Sequence, residues 1–312
     1  MSDVRPPSGT QWTLSAHDQE LVVVESGGGI RSYRAGGRDV LFGYDQDAKC
    51  DAGRGQHLIP WPNRIRDGVY TFADKKQQLP LTEPARNNAS HGLTRWANWH
   101  LVEQSGDRLV VGYQLLPQPG WDGILDLTIT YELTGEGLVV TPAATNAGSA
   151  AVPFGYGAHP YLTAGEESVD ELRLALPAAT VLEVDDRLIP TGTAPVPSEF
   201  DFRSPRPIGA TQFDHAFTDL TSDGEADGAR WTITVAAGGR VSSVWADAAA
   251  YPYAQVFTGD SLPGGRSRRT GVAVEPMTCP ANAFATGAAL VLEPGATWSA
   301  SWGVTSDDAA GE

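Results

Sequence analysis

Three side chains of this sequence, His91, His159 and Glu275, have the chemistry and the setting to move protons near neutral pH. His159 lies in Gly155-Tyr156-Gly157-Ala158-His159-Pro160-Tyr161. The glycines let the backbone approach a neighbour closely or take φ values that other residues avoid. Pro160 holds the residue before it in extended geometry and removes the next backbone donor. An imidazole fixed in this way is a candidate proton donor or acceptor; the structural alternative is a core histidine at a strand end. Glu275 closes the run Val272-Ala273-Val274. A carboxyl after three small apolar residues is partly desolvated, which raises its pKa and makes it a better base near pH 7. The alternative there is a solvated strand-end glutamate. His91 precedes Gly92 at the end of a polar loop over residues 87–92, and Arg64 follows the turn-rich stretch Pro60-Trp61-Pro62-Asn63. Taken alone, Arg64 reads as a surface or structural arginine.

Other chemistries find less support. None of the six histidines (His17, His57, His91, His100, His159, His215) shows the H-x-H or H-x-x-x-H spacing of a local metal site. No metal is expected, although a cupin-like site assembled from distant strands stays open. No G-x-S-x-G elbow or P-loop is present. Gly27-Gly28-Gly29 lacks both the G-x-G-x-x-G spacing and a following helix pattern, so it is not a dinucleotide fingerprint. The two cysteines, Cys50 and Cys279, are too few for a disulfide scaffold and read as free thiols in a reducing compartment.

The elements that must position these groups are strands. Gly (35) and Pro (22) are spread along 312 residues, and helix formers are not grouped in long runs. Residues 125–133 alternate strictly, with Leu125, Leu127, Ile129, Tyr131 and Leu133 on one face and Asp126, Thr128, Thr130 and Glu132 on the other. Thr134-Gly135-Glu136-Gly137 turns that strand into the next. Further strands are expected over 20–25, 108–116, 172–176, 181–184, 231–235, 241–246, 254–258, 271–275, 289–292 and 298–304. Residues 190–207 read as an ordered proline-rich loop, 276–280 as a loop after Glu275, and Pro294-Gly295 as a hairpin. Residues 1–10 read as a loose arm. No repeat or composition shift marks a boundary, so one large antiparallel β-sandwich over 1–312 is expected.

A formal charge of −16 argues against a nucleic-acid partner. The first residues hold no apolar signal core, and no window reaches the ~18 uninterrupted apolar residues of a membrane helix. The expectation is a soluble cytoplasmic protein, monomer or homodimer, with no membrane partner.

The polar landmarks occur in a particular order: Gly28-Gly29-Ile30 with Ser32, Pro62-Asn63-Arg64-Ile65, Gly68 to Phe72, His91-Gly92, His159-Pro160-Tyr161, Phe213-Asp214 and Glu275-Pro276. In that order, over about residues 20–304, the sequence resembles the aldose 1-epimerase (galactose mutarotase) family. The resemblance implies a large β-sandwich that interconverts the α and β anomers of a free monosaccharide without cofactor or metal. It implies His159 as the acid at the ring oxygen, Glu275 as the base at the anomeric hydroxyl, and His91 as a second histidine near the ring oxygen. Arg64 and Asp214 match residues that bind sugar hydroxyls. Trp61 and Phe257 are candidates to stack on a sugar face, and Gln255 to donate to a hydroxyl. Leu162 stands where many members have phenylalanine, which bears on substrate identity. Two other readings remain: a hexose-6-phosphate epimerase using the Arg266, Arg268, Arg269 cluster, and a non-catalytic carbohydrate-binding sandwich.

Overall fold

The computed structural model describes residues 5–165, 168–224, 228–262 and 268–308. Its framework is two large sheets whose pairings are antiparallel. The larger, ten-stranded sheet is built around the strands Leu125–Thr134 and Gly137–Asn146 and includes Arg240–Asp247 and Trp302–Asp308. The alternation read from the sequence is the alternation observed: Leu125, Leu127, Ile129, Tyr131 and Leu133 are all buried. The eight-stranded sheet runs through Ala178–Val184, Asp214–Leu220, Tyr253–Phe257, Val272–Met277, Gly157–Ala158 and His57–Leu58. Val272–Met277 is buried at every position, as expected of a central strand covered on both faces.

A directional hydrogen-bond chain crosses the core between these sheets. Tyr131 donates its hydroxyl to the Gly28 carbonyl, so it can only accept from His57 Nε2, 2.7 Å away. His57 Nδ1 must then accept, and Tyr156 donates to it at 2.7 Å while taking the Trp302 indole N–H at 2.9 Å. Tyr156→Phe leaves His57 Nδ1 and Trp302 Nε1 without partners in a site closed to water. The expected cost is roughly 2–4 kcal/mol in a urea melt; a loss below ~0.5 kcal/mol would show that the chain is not needed.

The structure departs from the sequence-based expectations at several places. From Pro6 onward the N-terminal segment is not loose: Ser8 is buried, and Ser8 and Thr10 offer their carbonyls to Ser26 and Glu25. Residues 190–207 contain the edge strand Pro190–Pro195, where prolines are tolerated because one side of the ladder is unpaired. The strand bearing Glu275 continues through Pro276 to Met277. Pro294-Gly295 joins two strands with different partners: Leu290–Leu292 pairs with Val152–Phe154, and Thr297–Ser299 pairs with Gly137–Asn146. Asn146 holds that turn through its own backbone, donating to Ala296 and accepting from Gly295. Cys50 and Cys279 are free and buried.

Candidate active site

Directly paired residues of neighbouring strands project to the same face, and the register of the eight-stranded sheet assembles the site on that rule. Gln255 pairs with Glu275 and with Ala216; Phe257 pairs with Ala273 and with Asp214; Tyr161 pairs with Ala273. Asp214, Gln255, Phe257, Tyr161 and Glu275 therefore share one face, opposite Val272 and Val274. Above them opens a cavity of about 330 Å³, lined also by His159, His91, Asn63 and Arg64.

Glu275 and His159 meet at the floor, with Oε1 to Nε2 at 3.2 Å, and both side chains are almost wholly buried. The His91 ring stands edge-on to that of His159, centroids 5.7 Å apart. His91 takes φ +63°, with its N–H bonded to the Asn63 carbonyl. Backbone bonds clamp His159 as well: its N–H donates to Gln56, and its carbonyl accepts from Gly55. Gly155 and Gly157 are needed for close approach behind this floor. A Cβ on Gly157 would lie 2.7 Å from Pro62, and one on Gly155 2.6 Å from the Cys279 sulfur.

A polar chain leads along the wall. Arg64 forks onto Glu83 through Nε and a terminal nitrogen and donates from its other terminal nitrogen to Asn63 Oδ1 at 2.8 Å. Asn63 donates to Gln255 Oε1, and Gln255 donates to Asp214. Each member holds the next in one orientation, so the wall is fixed before any ligand arrives. The Glu83 carboxyl is lowered in pKa despite its burial, which acts the other way, because Arg64, Asn88 and Arg86 all donate to it.

Burial also sets the charge state of the floor. It pushes the Glu275 carboxyl well above the ordinary range, assisted by nearby Asp214, and drives the His159 imidazole down to about 3. His91 is pushed well below its usual value by burial and then by His159 and two arginines, Arg95 and Arg64. Burial thus keeps both imidazoles neutral at pH 7 and favours the uncharged form of the Glu275 carboxyl.

A stability consequence follows. His57, also pushed down to about 3 by burial, joins His91 and His159 as imidazoles that stay neutral when folded. The unfolded chain protonates them below pH ~6.5, so each withdraws up to about 1.4 kcal/mol per pH unit as pH falls below that value. Glu275 acts oppositely: its raised pKa costs stability as pH rises above the ordinary carboxyl value, offsetting one histidine in this window. Thermal melts should therefore show stability falling by up to about 3 kcal/mol per unit as pH drops from 6 to 5. A flat profile would contradict the neutral assignments.

Of the residues singled out in the sequence, His91, His159, Glu275, Arg64, Asp214, Gln255 and Phe257 all line the cavity. Trp61 does not. Its indole is buried in the core against Phe284, ring centroids 5.6 Å apart, because the segment through Pro60 and Pro62 turns it away from the cleft. Of the basic cluster, Arg269, which is bound to Asp170 and Asp260, and the exposed Arg268 do not line the cavity, and Arg266 lies outside the described residues. Asn63, Gly53, Glu83, Arg95 and Trp96 were not assigned a part from sequence, yet line the cavity. Only Asn63 had a local signal, its place beside Arg64. Among the described residues no group of three or more His, Cys, Asp or Glu could hold a metal ion, and no helix is long and apolar enough to cross a membrane.

A large antiparallel β-sandwich with a buried carboxyl and two imidazoles under a polar cleft defines a galactose mutarotase-like fold. The chain belongs to the aldose 1-epimerase family, whose model matches residues 10–305. It is 33% identical over 287 residues to the uncharacterized protein YihR of Escherichia coli K12, covering 91% of this chain and 89% of YihR. It is 34% identical over 219 residues to human galactose mutarotase, covering 65% of this chain and 61% of the human protein. Among solved structures, the GalM/aldose epimerase homologue of C. elegans superposes with a TM-score of 0.84 at 17% identity, covering 96% of this chain and 100% of that one. Galactose 1-epimerase from Lactobacillus acidophilus gives a TM-score of 0.79 at 20% identity, covering 96% and 95%. At those identities the structural likeness speaks to fold.

Proposed function

We propose that this protein is an aldose 1-epimerase that interconverts the anomers of a free aldose such as glucose or galactose. The observation that carries the reading is the approach of His159 Nε2 to Glu275 Oε1, 3.2 Å, at the floor of the cavity. A cyclic hemiacetal opens when a base takes the anomeric hydroxyl proton and an acid protonates the ring oxygen. Both oxygens are bonded to one carbon, so acid and base have to stand side by side.

Glu275 is the base and His159 the acid. Between them they hold one mobile proton. Burial favours its place on Glu275, and ring opening proceeds from the tautomer that carries it on His159, facing the carboxylate. Opening moves the O1 proton to Glu275 and the His159 proton to the ring oxygen, leaving a neutral acid beside a neutral imidazole. That is the distribution which burial of the two groups favours. The site is therefore electrostatically matched to the ring-open stage instead of the closed sugar. Rotation about C1–C2 presents the other face of the aldehyde, and reclosure returns both protons. His91, kept neutral, hydrogen-bonds near the ring oxygen. Arg64 and Asp214, held by the polar wall, bind hydroxyls, with Gln255 beside them and Phe257 against a sugar face.

A hexose 6-phosphate is the second reading, and Arg95 is what favours it. Arg95 lines the cavity, stacks on Trp96 at 5.5 Å, and has no acidic partner among the described residues. Polarimetry of freshly dissolved α-glucose, α-galactose and α-glucose 6-phosphate decides between them. The free-aldose reading expects faster mutarotation of at least one neutral sugar than in buffer. Preference for glucose 6-phosphate, weakening as salt rises, would support the phosphorylated substrate. No acceleration with any of several aldoses would leave a carbohydrate-binding sandwich.

A further inference from the structure

We infer that Tyr161 is a positioning residue for His159: its ring sets the plane of the imidazole, and its hydroxyl latches the Ala52–Gly53 turn against that imidazole. This inference rests on the reading of His159 as the acid.

A histidine acting on a substrate through Nε2 is commonly oriented by a hydrogen bond at Nδ1, to a carbonyl or a carboxylate. His159 has no such bond. Its Nδ1 is buried and faces its own backbone without a well-aligned hydrogen bond. Rotation about Cβ–Cγ must be fixed by other means, and packing provides them. The Tyr161 ring lies parallel to the imidazole, 14° between planes and 5.1 Å between centroids. Phe257 stands edge-on to Tyr161 at 6.4 Å and backs it. Gly53, at φ +74°, closes on the imidazole: a Cβ there would sit 2.8 Å from Cδ2 and 3.1 Å from Nε2.

The tyrosine hydroxyl joins these pieces. It donates to the Ala52 carbonyl at 2.9 Å, one residue before Gly53. One side chain thus supplies a stacking plate and ties down the turn that presses on the ring. Its backbone is in register with the base: Tyr161 pairs with Ala273, and the Val274 N–H donates to the Pro160 carbonyl between Tyr161 and His159. The plate that orients the acid and the strand that carries Glu275 are stitched into one unit. A tilt of the imidazole of about 1 Å at Nε2 is of the size that costs ~10²-fold in rate.

The test uses Tyr161→Phe, Tyr161→Leu and Gly53→Ala, with Tyr33→Phe as a control. Tyr33 is a buried tyrosine whose hydroxyl bonds Gln19, away from the cavity. Two readouts are taken: kcat and KM for anomer exchange, and the ring-nitrogen NMR signals of His159. Tyr161→Phe should lower kcat several-fold with little change in KM. Tyr161→Leu should lower kcat by about 10²-fold, and Gly53→Ala should fall between. All three should shift the His159 signals, and Tyr33→Phe should move neither readout. Tyr161→Leu with kcat within twofold of wild type, or with a change confined to KM, would overturn the inference. So would His159 signals that are unchanged in Tyr161→Leu. If the wild-type protein exchanges no anomers, the functional reading fails, while the NMR signals still decide whether Tyr161 orients the ring.

Discussion

Glu275→Gln should lower turnover by about 10²–10⁴-fold while the protein stays folded. The amide has nearly the same shape but cannot accept the O1 proton, so ring opening loses its base. Stability should hold, because burial favours the neutral form of the carboxyl and a neutral amide meets the same low-polarity surroundings. Above pH 5 the variant should melt at or above the wild-type temperature, since it no longer carries a group that the unfolded chain would ionise. Polarimetry and a thermal melt on one preparation check both halves. Near-normal turnover would remove Glu275 from its role. A collapsed melting temperature would show that the carboxyl is a structural member.

His159→Asn is the second large effect expected, again about 10²–10⁴-fold in kcat. Asparagine keeps a donor but cannot release a proton to the ring oxygen, and it leaves the Tyr161 ring facing a gap. Because acid and base act as one pair, the double variant with Glu275→Gln should be little worse than either single variant. Full additivity of the two losses would mean that the groups act independently. Near-normal turnover in His159→Asn would hand the acid role to His91, which stands edge-on beside it.

The legible part of this molecule was what short-range pattern controls. Alternation in residues 125–133 announced a half-buried strand, and the burial of Leu125 through Leu133 has that period. The run of small apolar residues before Glu275 announced a desolvated carboxyl, which burial on a central strand produces. What depended on long-range pairing was less readable. Pro294-Gly295 has hairpin chemistry, yet its flanking strands pair elsewhere because Asn146 captures the turn. Trp61 carries the right ring for stacking on a sugar, but only the packing of Phe284 reveals that it faces the core. Glu83, which fixes Arg64 from nineteen positions away in sequence, leaves no mark in the local pattern. Tyr161 was visible beside His159, but its bond to Ala52 requires the loop over residues 51–55 to be in place.

The most direct test of proton-transfer ring opening uses an α-aldose labelled with ¹⁸O at the anomeric oxygen. Wild-type protein is added, and NMR follows the anomeric carbon, whose signal reports both the anomer and the isotope attached. The acid–base account predicts that the anomers equilibrate faster than in buffer with the label retained, because the C1–O5 bond breaks and O1 stays on its carbon. Loss of the label with each inversion, or no acceleration at all, would contradict it.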